Sequence, residues 1–126
     1  MVVWVIDDDE STRVLLAQIL TDAGYRIACA DSGAEAIRML EQSAPDLMIL
    51  DLLMPGTTGW DVLAFMREHP LLAVIPVIVL TGYGEDGEDM PFGLAVIHKP
   101  IEEDLLCGLV AEVLSHGQRA TSEALI

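Results

Sequence analysis

One hundred and twenty-six residues, 52% of them hydrophobic and only 5% aromatic, suit one domain built on an aliphatic core. Six Lys and Arg against twenty-one Asp and Glu leave a formal charge of −15. A field of that sign repels nucleic acid and anionic membrane and favours cations or basic partner surfaces, which argues against direct DNA binding.

Taken in chain order, the first run, Val2 to Ile6, is β-branched or aromatic throughout and predicts a strand buried on both faces. It ends in Asp7, Asp8 and Asp9. Val14, Leu15, Ala17, Ile19 and Leu20 then recur at helical spacing up to Gly24, which sits where a C-terminal cap belongs. Tyr25 to Ala30 reads as a second strand, and Ser32 followed by Glu35 has capping-box spacing ahead of a second helix that closes before Pro45. Leu47 to Leu50 is a third strand ending in Asp51, and residues 54–59 are too rich in turn formers to continue it. A third helix is predicted from about Thr58 to His69, with Trp60, Leu63 and Met66 facing the core. Val77 to Leu80 is the fourth strand and runs into Thr81. From Gly82 to Gly93, four glycines, one proline and four acidic residues leave little apolar surface to bury, so a loop or a frayed turn is expected. Ala95 to His98 is a short fifth strand leading into Lys99-Pro100. Ile101, Leu105, Leu109 and Val113 mark a last amphipathic helix, and beyond Gly117 a mobile tail is expected. The organisation is therefore a domain over 1–117 and a tail over 118–126.

Strands alternating with helices predict a doubly wound parallel α/β sheet, because right-handed crossovers lay helices on both faces. In such sheets ligands collect beyond the carboxyl ends of the strands, which is where the acidic residues, Thr81 and Lys99 fall. The longest apolar stretch, Leu71 to Leu80, is broken by Pro76 and has about half the length of a membrane helix. No basic region precedes the first apolar run, so it reads as a strand and not a signal peptide. Cys29 and Cys107 lack CxxC spacing and read as core thiols of a reducing compartment. The expected location is cytoplasmic.

Carboxylates held close together repel one another and call for a cation. Mg2+ takes oxygen ligands in octahedral geometry and keeps several waters, which suits one or two carboxylates, a backbone carbonyl and a phosphate oxygen. The run Asp7 to Asp9 alone is equally read as the acidic opening of a helix. Asp51 shifts that balance, since a carboxylate between an apolar strand and a Pro-Gly loop is placed for reaction. A carboxylate can attack phosphorus, Thr81 can donate to a phosphoryl oxygen, and Lys99 supplies a compact positive charge. Each also has a plain reading, Thr81 as a strand end bonded to backbone and Lys99 as a surface lysine.

The acidic pair after VVWVI, Asp51 with Met54-Pro55-Gly56 and Gly59 beyond it, Thr81-Gly82 after VIVL, and Lys99-Pro100 together resemble the response-regulator receiver domain of two-component signalling. The resemblance spans about residues 1 to 116. It implies a flavodoxin-like five-stranded sheet in the order 2-1-3-4-5 with helices on both faces, the fourth helix here short or absent. It further implies that Asp51 is the phospho-acceptor and that Asp7, Asp8, Asp51 and the carbonyl of Leu53 hold Mg2+ or Mn2+. Thr81 would be the switch hydroxyl, Lys99 the phosphate lysine, and Lys99-Pro100 a cis peptide. The implied partner is a sensor histidine kinase or a histidine phosphotransfer protein, and the chain is a phospho-acceptor more than an enzyme in its own right.

The chain departs from that pattern twice. Val96 stands three positions before the lysine, where the family usually has Tyr or Phe. Thr81 to Lys99 spans 99 − 81 = 18 positions, fewer than usual, with the shortfall in the fourth-helix region. These departures motivate an alternative, a pseudo-receiver that binds proteins without phosphorylation. A Mg2+-dependent phosphohydrolase is a third class, but its second acid would fall at Leu53. Leu53 and Tyr83, bulky residues where the family flanks its attacking water, predict slow self-dephosphorylation. His69 and His116 are expected at helix ends, His98 facing solvent at a strand end, Asp9 as a helix cap, and Trp4, Met48, Met66 and Trp60 in the core.

Overall fold

The computed structural model describes residues 1–81 and 94–124, with side chains as far as Ser115. Five parallel strands, β1 (Val2–Ile6), β2 (Arg26–Ala30), β3 (Leu47–Asp51), β4 (Val77–Thr81) and β5 (Ala95–His98), form one sheet in the order β2-β1-β3-β4-β5. The predicted doubly wound architecture and strand order are therefore present. The chain leaves β1 in one direction for β2 and returns past it to β3, so the switch point lies where β1 and β3 end side by side.

Burial on both faces follows from the alternation within each run. Trp4, Ile6, Met48, Leu50, Val77 and Val79 face one layer, packed under α2 (Gly33–Leu40) and α3 (Gly59–Arg67). Val3, Val5, Leu47, Ile49, Ile78, Leu80 and Ile97 face the other, packed under α1 (Glu10–Asp22) and the last helix, α5 (Glu103–Ala124). A single turn, α4 (Pro70–Ala73), with Pro70 in its first turn, lies between α3 and β4 where the sequence shows only an apolar stretch. Among the described residues no helix is long and apolar enough to cross a membrane.

Several helix faces differ from expectation by one position. On α3 the buried stripe is Gly59, Val62, Leu63 and Met66, spaced i, i+3, i+4, i+7; Trp60 falls outside it and is 40% exposed. On α5, Leu106 and Val110 are buried while Leu105 is exposed, and on α1 Leu16, Ile19 and Leu20 face the sheet while Val14 and Leu15 face out. Cys29 is not a core thiol: β2 is an edge strand, and the side chain is exposed. Cys107 is half-buried. Trp4, Met48 and Met66 are core residues as expected. The backbone of α5 stays helical through Ala124, past Gly117 where a tail was predicted to begin. His116 accordingly lies within α5 and not at its end. The expectations for residues 82–93, including the short or absent fourth helix and Tyr83, lie outside what is described.

Candidate functional site

The strand register builds the site. Ile6 is opposite Leu50, so Asp7 and Asp51 leave adjacent strands together; Asp51 is opposite Leu80, and Thr81 follows; Thr81 is opposite His98, and Lys99 follows. Lys99 N–H then donates to the Thr81 carbonyl at 2.8 Å, and the Lys99-Pro100 peptide is cis as expected. Four chain ends thus converge at one rim of the sheet.

Asp7, Asp8 and Asp51 each offer a carboxylate oxygen, all within 4.8 Å of one another. Asp7 is fully buried, Asp51 is 5% exposed, and Asp8 lies at the surface. Asp51 Oδ1 accepts the Leu53 backbone N–H at 3.0 Å, while its Oδ2 lies 3.7 Å from Lys99 Nζ. The same ammonium is 2.9 Å from Asp7 Oδ2. That oxygen has the lysine charge beside it but, among the described residues, no hydrogen bond of good direction, so a buried lone pair remains unmet there. Burial and the neighbouring Asp7 charge push the Asp51 carboxyl up from 3.8 to about 6, against the opposing pull of the Leu53 N–H and Lys99. Burial disfavours the Lys99 ammonium, but the Asp7 and Asp51 carboxylates outweigh that and raise its pKa.

Two glycines and three helix caps hold this rim. A side chain at Gly59 would collide with the Asp51 carbonyl and the Leu52 Cα, so only glycine lets the start of α3 close over the end of β3. Gly56, at φ +72°, takes the left-handed turn that brings the chain back. Thr58 and Asp61 form a full capping box on α3, and Ser32 accepts the Glu35 N–H at the start of α2. Asp9 does cap α1, its carboxylate accepting from the Thr12 backbone N–H at 3.2 Å and from the Thr12 hydroxyl at 2.6 Å. The Thr12 hydroxyl, chiefly, holds the Asp9 carboxyl below its ordinary range. His69 closes α3 as expected for a helix end, its Nδ1 bonded to the Phe65 carbonyl at 2.8 Å.

The matching family model is that of the response regulator receiver domain, over residues 3–111. The chain belongs to the response-regulator receiver family. Among curated relatives, the transcriptional regulatory protein AfsQ1 of Streptomyces coelicolor is 32% identical over 94% of this chain and 53% of its own length. The DNA-binding transcriptional regulator NtrC of Escherichia coli is 33% identical over 93% of this chain and 25% of its own. The chain thus spans about half or less of the length of these regulators. Among solved structures, the receiver domain of a signal transduction histidine kinase from Syntrophus aciditrophicus is 32% identical, with a TM-score of 0.80 over 90% of this chain and 89% of that one. The receiver domain of a LuxO-type repressor from Vibrio parahaemolyticus is 30% identical, with a TM-score of 0.84 over 95% and 94%. The fold and the place of this receiver in two-component signalling are thereby shown.

Two contacts at the rim of this receiver are absent from the sequence reading. Arg13 Nη1 donates to the Asp7 carbonyl at 2.8 Å, pinning the acidic loop to the first turns of α1. His98, although exposed, does more than face solvent: its Nδ1 lies 2.9 Å from Thr81 Oγ1. Only the register reveals the second pairing, since seventeen residues separate the two in sequence.

Proposed function

We propose that this receiver takes a phosphoryl group from the phosphohistidine of a sensor kinase or phosphotransfer protein onto Asp51, and that a divalent cation, Mg2+ or Mn2+, assists. The observation that carries the reading is the pairing of Asp51 Oδ2 with the Lys99 ammonium at 3.7 Å, beside a buried Asp7 oxygen with an unmet lone pair. The donor set is hard oxygen, and a cation answers both the unmet lone pair and the three-fold carboxylate crowding, so the residues fit a Mg2+ site. Asp7, Asp8, Asp51 and the Leu53 carbonyl are the proposed ligands. When bound, Mg2+ draws charge from the transferring phosphoryl group.

An Asp51 carboxylate oxygen forms the new O–P bond while the donor's N–P bond breaks, its electron pair returning to the imidazole nitrogen. Lys99 neutralises charge on the phosphoryl oxygens, and Thr81 donates to one of them. Leu53, 56% exposed at the mouth, brings no polar atom of its side chain to orient a hydrolytic water, which supports a long-lived aspartyl phosphate. Exposed Val14 and Leu15 on α1 give the rim an apolar margin on which a donor protein can rest. The alternative, a phosphorylation-independent binding module, draws on Val96.

Acetyl phosphate with Mg2+ separates the two. Gain of one phosphoryl mass in the wild type, lost in Asp51→Asn, is expected. No mass gain, or gain that persists in Asp51→Asn, favours the binding module.

A further inference from the structure

Thr81 ends β4 almost wholly buried, and its hydroxyl is engaged with an imidazole that the sequence alone leaves without a role. A hydroxyl carries a single proton, so at any moment it donates to one acceptor only. Among the described residues the group paired with it is Nδ1 of His98, at 2.9 Å on the register-paired position of β5, an acceptor in the tautomer that carries its proton on Nε2. Resting on the reading of Asp51 as phosphoryl acceptor, we propose that His98 is a positioning residue for Thr81: its Nδ1 holds the hydroxyl on β5 until a phosphoryl oxygen on Asp51 takes over that hydrogen bond.

The geometry ties this exchange to the sheet. Thr81 and His98 are directly opposite one another, and the peptide after His98 is already bonded to the Thr81 carbonyl through Lys99 N–H at 2.8 Å. Backbone motion is therefore restrained, and turning Thr81 about its own side-chain bond is the free movement. Once the hydroxyl turns away, the exposed His98 ring loses Thr81 as a partner and presents a changed surface at the end of β5. Half-buried Val96, two residues earlier on the same face, has no polar atom with which to register the event. His98 thus gives β5 a polar link to the site that Val96 cannot.

Histidine side-chain 15N NMR, with and without acetyl phosphate and Mg2+, tests the idea, phosphorylation being followed by mass in the same sample. The expected result is an unprotonated, hydrogen-bonded Nδ1 on His98 at rest, whose resonance moves on phosphorylation. In Thr81→Val it starts at the moved position and stays there. A protonated Nδ1 at rest, or a His98 signal that ignores confirmed phosphorylation, overturns the proposal. Absence of phosphorylation in the wild type sinks the acceptor reading and this inference with it. Rate provides a second readout that does not need Thr81→Val to fold. Removing the competing acceptor in His98→Ala is expected to speed phosphorylation by about fivefold, the share of one hydrogen bond, and His98→Asn, whose amide can accept in its place, to restore the wild-type rate. A His98→Ala rate equal to or below wild type overturns it too.

Discussion

Lys99 Nζ lies 2.9 Å from Asp7 Oδ2, and this ion pair sets the state of the whole rim. Asp7 is fully buried, so its charge has to be met inside the protein or by a cation. Lys99→Ala is expected to destabilise the metal-free protein by about 1 to 3 kcal/mol, because it leaves a buried carboxylate without its counter-charge. Saturating Mg2+ is expected to recover most of that loss, because a cation then answers the same oxygen. Urea unfolding with and without Mg2+ measures both. An equal loss under both conditions would separate the lysine from the proposed cation site.

Asp51 gives a pH dependence with a definite sign. Its folded pKa of about 6 lies above the ordinary 3.8, so the folded metal-free protein favours the acid form. The stability this confers is full below 3.8 and is lost as pH rises through about 6. Asp51→Asn keeps the neutral shape at all pH values and is expected to stabilise the metal-free protein at pH 7.5, by at most about 3 kcal/mol. A bound cation has to displace the proton, so Mg2+ affinity is expected to fall about tenfold per unit as pH drops below about 6. Thermal unfolding and Mg2+ titration between pH 5 and pH 8 check the two halves, and a flat Mg2+ affinity would contradict the second.

Gly59 is the backbone counterpart of these charges. The atoms that an added Cβ would meet are the Asp51 carbonyl and the Leu52 Cα, and backbone cannot swing aside as a side chain can. Gly59→Ala is expected to cost about 1 to 3 kcal/mol and to displace Asp51, slowing phosphorylation by acetyl phosphate even in the folded fraction. Wild-type stability and rate together would show that the close approach is not required.

The sheet was legible because apolar runs alternate with helical patterns, and the runs that become β1, β3 and β4 are apolar throughout, which suits strands buried on both faces. The acidic pair, Asp51, Thr81 and Lys99 were legible because Asp7, Asp51 and Thr81 are each the first polar residue after a run, with Asp8 and Lys99 one position further on, and parallel strands bring such residues to one rim. Helix faces were less so. Trp60 and Leu105 are apolar residues one position outside their buried stripes, and periodicity over short windows does not separate such neighbours. The Thr81–His98 bond and the contact of Arg13 with the Asp7 carbonyl depend on register and side-chain reach, which no local pattern carries.

Leu53 bears on how long a phosphoryl group lasts. Its side chain stands exposed beside Asp51 and offers nothing to hold a water in line. Leu53→Asn supplies a carboxamide there and is expected to shorten the lifetime of the phosphorylated form by about tenfold, equivalent to about 1.4 kcal/mol of barrier. Decay of the phosphorylated mass after removal of acetyl phosphate reports it. A wild-type lifetime of seconds, or no change in the variant, would contradict the role given to Leu53.

Arg13 reaches back from α1 to hold the Asp7 carbonyl at 2.8 Å, fixing the backbone from which the Asp7 and Asp8 side chains spring. Its guanidinium also adds positive charge near the proposed cation site, so removal has two opposed effects. The electrostatic one favours Mg2+ and is screened by salt; the positional one disfavours Mg2+ and is not. In Arg13→Ala, Mg2+ affinity is therefore expected to fall severalfold at high ionic strength, where only the loss of position is felt, and to fall less at low ionic strength. Arg13→Lys keeps the charge without the fork that spans the distance, and is expected to behave like Arg13→Ala at high salt. Mg2+ titrations of the three proteins at two salt concentrations measure this, and an affinity in Arg13→Ala that equals wild type at high salt would show that the carbonyl needs no support.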